Sequence, residues 1–353
     1  VYVLLLGLFL QACNDIPQTL TEREILTSLL GYFSDKPDLQ LDTLEKVQLE
    51  NGWRYKIKYL SEPADTVLHT PDDWIYAYLF VPNHKQGEKL PAFVAIHQDG
   101  TSMYFDVGKD EPAGLGGDST MRYGLDLYNR GYVVICPDRY YHAERRNFNK
   151  NPWYDFSKPD YQRDYSLWDN QVGVLMLRGQ SHYSKEAYDQ SRAVDVLYTL
   201  GYVDKDKIGS IGHSAGGVAT AYFMFYDTRV SLDVSACGVY DIKRAFDYKM
   251  PQPFPALMAL PRLTKEGYTT ADYIRHIYPR SLIITRGMYE WGKDDEDSED
   301  FIIEMENFKK SYLSAGNEGD IITIAFDEDG GGHIFPKNVK EKVYRLIDER
   351  FKK

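Results

Sequence analysis

Cysteine is scarce in this chain, with three among 353 residues, too few to build a disulfide framework. Cys136 and Cys237 each sit in a short apolar run and read as small residues of buried strands. Basic residues are also in deficit: 41 Lys and Arg stand against 53 Asp and Glu, a formal charge of −12. Phosphate contacts need clustered Lys and Arg, so nucleic acid is excluded as a partner. Internal repeats and low-complexity linkers are absent, which makes one domain the simplest partition of residues 20–353. The 43% hydrophobic and 27% charged residues are the composition of a globular chain able to bury a sizeable core.

The first segment departs from that composition. VYVLLLGLFLQACND is apolar almost without interruption up to Gln11. It is too short to span a bilayer but has the length of a signal-peptide apolar region. Ala12 directly precedes Cys13, and a small residue in that place resembles a bacterial lipoprotein signal, in which the cysteine is lipidated and becomes the mature terminus. Residues 1–13 are therefore expected to be a signal with Cys13 as a lipid tether, and the protein to be exported and membrane-anchored on the periplasmic or cell-surface side. No Lys or Arg precedes the stretch and no Met opens it, so the true start is expected upstream or at a non-standard start codon.

Beyond a polar, helix-like stretch (Thr21 to Gly31), VQLENGWRYKIKYL carries Asn51-Gly52 between two alternating segments, a strong hairpin signal. Trp74 to Val81 predicts another strand, and Pro91 to His97 a buried one. From there short apolar runs (Tyr132–Cys136, Ile208–Ile211, Leu232–Cys237, Leu282–Thr285, Ile321–Phe326) alternate with longer segments of helical period. The latter are Thr120–Arg130, Glu186–Leu200, Val218–Tyr226, Phe301–Ser314 and Pro336–Phe351. That alternation predicts an α/β fold: a mostly parallel central sheet with helices on both faces and an N-terminal antiparallel edge.

Glycine is concentrated in GSIGHSAGG, Gly209 to Gly217, which places four glycines around Ser214. A short buried strand precedes it and a helical segment comes after, so Gly212-His213-Ser214-Ala215-Gly216 reads as a G-x-S-x-G nucleophile elbow. The turn is so sharp that the serine takes strained dihedrals, and the residues two before and two after it must lack a β-carbon. The hydroxyl then stands at the sheet's carboxyl edge, and the Ala215 N–H, at the positive end of the helix, faces a substrate oxygen. A phosphate-binding loop is the competing reading, but no Lys follows the glycines.

A serine hydroxyl needs a base. In this architecture the acid and the histidine follow the serine in the chain, each after a later strand. Of eight histidines only His333 has that placement, in Asp329-Gly330-Gly331-Gly332-His333, before a last helix expected to begin at Pro336. His213 lies within the elbow, and His97 ends a strand, where packing or hydrogen bonding is expected; the three lack metal-ligand spacing. The acid falls in RGMYEWGKDDEDSED, where Glu290 holds the better loop position and Asp294 is the alternative. A second oxyanion donor is expected from the backbone N–H of Asp99, or of Gln98, in His97-Gln98-Asp99-Gly100. As a main-chain group it does not depend on the side chain.

These residues resemble the α/β-hydrolase superfamily, and more narrowly its dienelactone-hydrolase-related, acetyl-xylan-esterase-like bacterial members. The resemblance runs from Leu90 to Lys352 through "AIHQDG", "KDEPAGLGGD", "YGLDLYNRGYVVICPDR", "IGHSAGG" and "PRSLIITRG". It implies Ser214 as nucleophile, His333 as base and an acid at Glu290, where relatives usually carry Asp, acting on carboxyl esters without a metal or organic cofactor. Dienelactone hydrolases proper use a cysteine nucleophile, so the serine argues against that specific chemistry. Residues 138–180, with nine aromatics and several arginines, form a candidate cap insertion whose rings suit sugar or aryl groups and whose arginines suit carboxylates. A surface loop packed on itself is the alternative.

The expected function is a serine carboxylesterase acting on a small-molecule ester, such as a sugar ester. A prolyl-oligopeptidase-type peptidase is a second reading. A catalytically inactive binding lipoprotein of the same fold is a third, disfavoured by the retained elbow glycines and the Gly-Gly-Gly-His loop.

Overall fold

The structure, a computed structural model, describes residues 20–31, 33, 35–99, 107–146, 161–241, 260–290 and 295–352. Cys13 with its apolar leader, and Asp294, lie outside the described residues. Helix α1 (Glu22–Leu30) starts where Thr21 caps it, the side chain accepting from the Glu24 N–H. Strands β1 (Asp42–Leu49) and β2 (Gly52–Glu62) come next as an antiparallel hairpin. Its turn lies one residue earlier than the sequence suggests: Leu49 pairs with Gly52, so Glu50 and Asn51 connect the strands. Gly52 is already strand, and a β-carbon there would lie 2.1 Å from the Val81 carbonyl oxygen of β3 (Asp73–Pro82). Close approach, rather than the turn, accounts for this glycine.

Six strands run parallel: β4 (Leu90–Ile96), β5 (Val133–Pro137), β6 (Val203–His213), β7 (Leu232–Ala236), β8 (Ser281–Gly287) and β9 (Ile321–Phe326). The order across the sheet is β1-β2-β3-β5-β4-β6-β7-β8-β9, with β3 antiparallel to β5. This is the α/β architecture expected, a mostly parallel sheet with an antiparallel edge. The connections carry α2 (Tyr123–Asn129), α3 (Tyr161–Leu177), α4 (His182–Thr199), α5 (Ala215–Tyr226), α6 (Thr270–Arg275), α7 (Asp295–Leu313) and α8 (Lys337–Phe351).

Strand side chains alternate between two apolar layers. Ala92, Val94, Ile96, Val133 and Ile135 pack with residues of α1, α4, α5, α6 and α7. Phe93, Ala95, Val134 and Cys136 pack with residues of α2 and α8. Full burial of each Val or Ile contributes about 1.5–3 kcal/mol. Burial on both faces is why Tyr132–Cys136 reads as a continuous apolar run.

Every one of the five expected helices starts at a different residue from the sequence expectation, α7 by six positions (Asp295 for Phe301), and two of the shifts show their cause. Helix α8 begins at Lys337, and Pro336 is its N-cap with ψ 152° rather than its first helical residue. Helix α4 begins at His182, four positions before the periodic segment, because its first turns bury charge. Lys185 Nζ lies 2.6 Å from Glu62, 2.7 Å from Asp73 and 2.9 Å from Asp189, while Arg145 joins Asp73 and Asp189 at 2.7 and 2.8 Å. Each buried charge faces an opposite one, the condition under which such burial is tolerated.

Candidate active site

Strand β6 ends at His213 and α5 starts at Ala215, so Ser214 alone reverses the chain, at φ 56° and ψ −128°. Such a conformation costs about 1–3 kcal/mol in a residue other than glycine and persists only where the surroundings hold it. Here the Ser214 N–H donates to the Ala236 carbonyl at 2.9 Å and the Ser214 carbonyl accepts from the Val218 N–H at 2.9 Å. Two of the glycines are needed for close approach. A β-carbon on Gly212 would lie 2.5 Å from the Gly216 carbonyl, and one on Gly216 would lie 2.3 Å from the Ile96 oxygen and 2.6 Å from the His97 oxygen. The start of α5 is therefore pressed against the end of β4.

The loops after β8 and β9 meet above Ser214, joined where the Tyr289 N–H donates to the Gly331 carbonyl at 2.8 Å. His333 Nε2 is 2.6 Å from Ser214 Oγ, and His333 Nδ1 is 2.5 Å from Glu290 Oε1. An ionised carboxylate only accepts, so Nδ1 carries the proton and Nε2 is left to accept from the hydroxyl. Glu290 is wholly buried as a side chain, whereas His333 is a third exposed. Burial alone would raise the Glu290 pKa. The His333 bond and the Arg286 guanidinium, whose Nε donates to Oε2 at 3.2 Å, outweigh burial and hold it below the usual carboxylate range. Arg286 is held in turn by Glu304 at 2.7 Å. The arrangement offers a base for a hydroxyl proton and a buried anion to stabilise the resulting imidazolium.

Cys237 lies one residue past β7, at φ 49°, and its Sγ shares a 4.8 Å cluster with ligand atoms of Glu290 and His333. Its thiol donates to the Ile334 carbonyl at 3.3 Å. Both His333 ring nitrogens already have partners in Ser214 and Glu290, so the cluster is accounted for by the hydrogen-bond chain itself.

His97, Gln98 and Asp99 form the other wall. His97 Nδ1 donates to the Gln98 carbonyl at 2.6 Å and Nε2 accepts from the Arg139 N–H at 2.9 Å. Burial, with His142 and Arg139 nearby, pushes its pKa well below the ordinary histidine value. The Asp99 carboxylate accepts from Arg139 at 2.6 Å, with His142 Nε2 at 3.4 Å. Burial would raise its pKa, but Arg139 and His142 pull it below the ordinary value. Among the described residues no acceptor is paired with the backbone N–H of Ala215 or Asp99. The Gln98 side chain, given no part by sequence reasoning, reaches His213 Nδ1 at 2.6 Å. Nothing in the sequence signals that contact beyond a polar residue at the end of a buried strand.

The described parts of 138–180 are built into the body, not packed only on themselves; residues 147–160 lie outside the described residues. Arg139 and Arg145 are buried in ion pairs, and Trp168 packs edge-on to the rings of His142 and His182. A cleft of about 430 Å³ opens between Trp74 and Tyr76 of β3 and Tyr140, Tyr141, Gln171 and Arg178. It lies on the same sheet edge as Ser214, three strand positions away, roughly 14 Å at the usual strand spacing.

The strand order, with Ser214 at positive φ between strand and helix, gives this chain the α/β-hydrolase fold. Residues 176–288 match the prolyl oligopeptidase family, a stretch that contains Ser214 and ends before Glu290 and His333. The chain is 24% identical over 221 residues to the Bacillus subtilis (strain 168) protein YtaP, covering 62% of this chain and 64% of YtaP, just under two thirds of that relative's length. Among solved structures, a glucuronoyl esterase from Solibacter usitatus superposes with TM-score 0.62 at 12% identity, covering 94% of this chain and 93% of that one. An acetyl xylan esterase from Paenibacillus sp. R4 gives 0.57 at 15% identity, covering 93% and 92%. At such identities the likeness is one of fold: a serine-hydrolase fold whose neighbours are esterases.

Proposed function

We propose that this chain is a serine carboxylesterase acting on esters of carbohydrates or similarly small molecules. The observation that carries the reading is the Ser214–His333–Glu290 hydrogen-bond chain, 2.6 and 2.5 Å, built on the strained elbow. As an ester carbonyl approaches, His333 Nε2 takes the Ser214 proton while Oγ bonds to the carbonyl carbon. The charge that develops on the carbonyl oxygen meets the N–H groups of Ala215 and Asp99. Glu290 orients the ring and stabilises the imidazolium, which returns its proton to the leaving alcohol. Water deprotonated by the same histidine then releases the acyl group. The esterase neighbours and the aromatic walls of the cleft support a sugar-bearing substrate. The leader and Cys13 support a lipid tether.

A panel of acetylated and glucuronoyl sugar esters, run with the wild type and Ser214→Ala, tests the reading. Turnover of at least one ester is expected, reduced ~10,000-fold or more by the substitution. Activity that survives Ser214→Ala would overturn it. A second reading, a serine peptidase, is favoured by the match to the prolyl oligopeptidase family. Cleavage of peptide amides in preference to short p-nitrophenyl esters would select it.

A further inference from the structure

We infer that Gln98 is a positioning residue for the oxyanion site, its side-chain amide tying the nucleophile elbow to the loop after β4 and so setting the spacing of the two backbone donors. The inference rests on the esterase reading above. Gln98 is buried, with Oε1 2.6 Å from His213 Nδ1 and Nε2 donating to Glu111 Oε1 at 3.1 Å. Chemistry sets the direction of both bonds. A carboxylate only accepts, so the amide NH₂ must face Glu111; the amide oxygen then faces His213, whose Nδ1 must carry the proton. Burial, with His333 and Lys340 nearby, pushes the His213 pKa well below its ordinary value, so the ring is the neutral Nδ1–H tautomer. Glu111 Oε1 also accepts from the Asp118 N–H at 3.1 Å. Asp118, Glu111, Gln98 and His213 thus form an unbroken chain that ends one residue before the nucleophile.

The two proposed donors belong to different elements. The Ala215 N–H moves with α5, and the Asp99 N–H moves with the loop after β4. Gly216 brings these elements together but has no side chain with which to lock them. His97 and Asp99 are turned toward Arg139 on the β5 side. Among the described residues of the loop, Gln98 is the one whose side chain reaches across to the elbow. Oxyanion stabilisation depends on where the donors sit, and a misplacement of about 1 Å can cost ~100-fold in rate.

Gln98→Leu removes both bonds with little change of volume. Active sites are counted by fluorophosphonate titration so that kcat refers to competent serines alone. The expected result is a kcat on p-nitrophenyl acetate lower by about 10- to 100-fold with KM nearly unchanged. Affinity for a trifluoromethyl ketone, which binds as a tetrahedral oxyanion, should fall by the same factor as kcat/KM. A merely structural role would lower the melting temperature and the titratable fraction but leave kcat per site and ketone affinity intact; that result overturns the inference. Should Gln98→Leu not fold, Gln98→Met, unbranched and of the same length, carries the same test. Glu111→Gln, whose amide oxygen can still accept from Gln98, is expected to keep most of the wild-type kcat, and a loss as large as that of Gln98→Leu would overturn the chain as drawn. Unchanged kcat in Gln98→Leu beside abolished turnover in Ser214→Ala removes the positioning role alone, whereas turnover persisting in Ser214→Ala removes the esterase reading itself.

Discussion

Glu290→Gln keeps the shape of the acid and removes its charge, and Arg286 dictates how the new amide must sit. The Arg286 Nε donates to Glu290 Oε2 at 3.2 Å, so a glutamine would turn its oxygen toward the guanidinium and its NH₂ toward His333 Nδ1. Two donors cannot face each other, so the imidazole proton would shift to Nε2, where the ring can no longer accept from Ser214. Loss of the proper tautomer in such a triad lowers kcat ~10,000-fold. At 1.36 kcal/mol per decade that is ~5 kcal/mol of transition-state stabilisation. Stability should suffer less. Arg286 keeps Glu304 at 2.7 Å, so the loss stays below the ~3–5 kcal/mol of a buried charge left alone. The assay is kcat on p-nitrophenyl acetate per titrated site, beside a thermal melt, with Asp294→Asn as the comparison expected to stay near the wild type. Glu290→Gln retaining more than about a tenth of wild-type kcat, or Asp294→Asn losing as much as Glu290→Gln, would refute the assignment.

Gly216→Ala would set a β-carbon 2.3 Å from the Ile96 oxygen, so overpacking of about 1–3 kcal/mol and a kcat loss of at least ~100-fold are expected, read by melting temperature and ester turnover. Asp233 is fully buried and accepts from the Ser210 hydroxyl at 2.6 Å, and burial raises its pKa to about 7. From about pH 4 to 7 the folded protein therefore keeps a proton that the unfolded chain has released, so this group's contribution to stability is complete below pH 4 and declines as the pH rises to 7. Asp233→Asn should flatten that dependence and stabilise the protein at pH 8 by as much as ~4 kcal/mol; denaturant titrations at pH 4 and 8 that differ equally in wild type and variant would contradict it.

Features encoded in a few neighbouring residues were legible in the sequence. The elbow could be read because its G-x-S-x-G pattern lies within five residues; the missing β-carbon of Gly212 faces Gly216 inside the elbow, while that of Gly216 faces Ile96 and His97 at the end of β4. His333 could be picked from its place in a glycine loop after the last strand, and it meets Ser214 at 2.6 Å across 119 positions. Features decided by distant partners were less legible. The start of α4 was hidden because Lys185, Glu186 and Asp189 are buried against Glu62, Asp73, Arg139 and Arg145, which defeats apolar periodicity. Asn51-Gly52 suggested its own turn, yet Gly52 answers to Val81 on another strand. The Gln98 side chain could not be assigned, because His213 and Glu111 become its partners only when β4 and β6 lie side by side.

The central claim is that Ser214 Oγ is a nucleophile activated by His333. Incubation with a fluorophosphonate probe and then peptide mass mapping tests it directly. One adduct is expected per chain, on the peptide bearing Ser214, formed far more slowly in His333→Ala. An unlabelled protein, or an adduct that persists in Ser214→Ala, would contradict it.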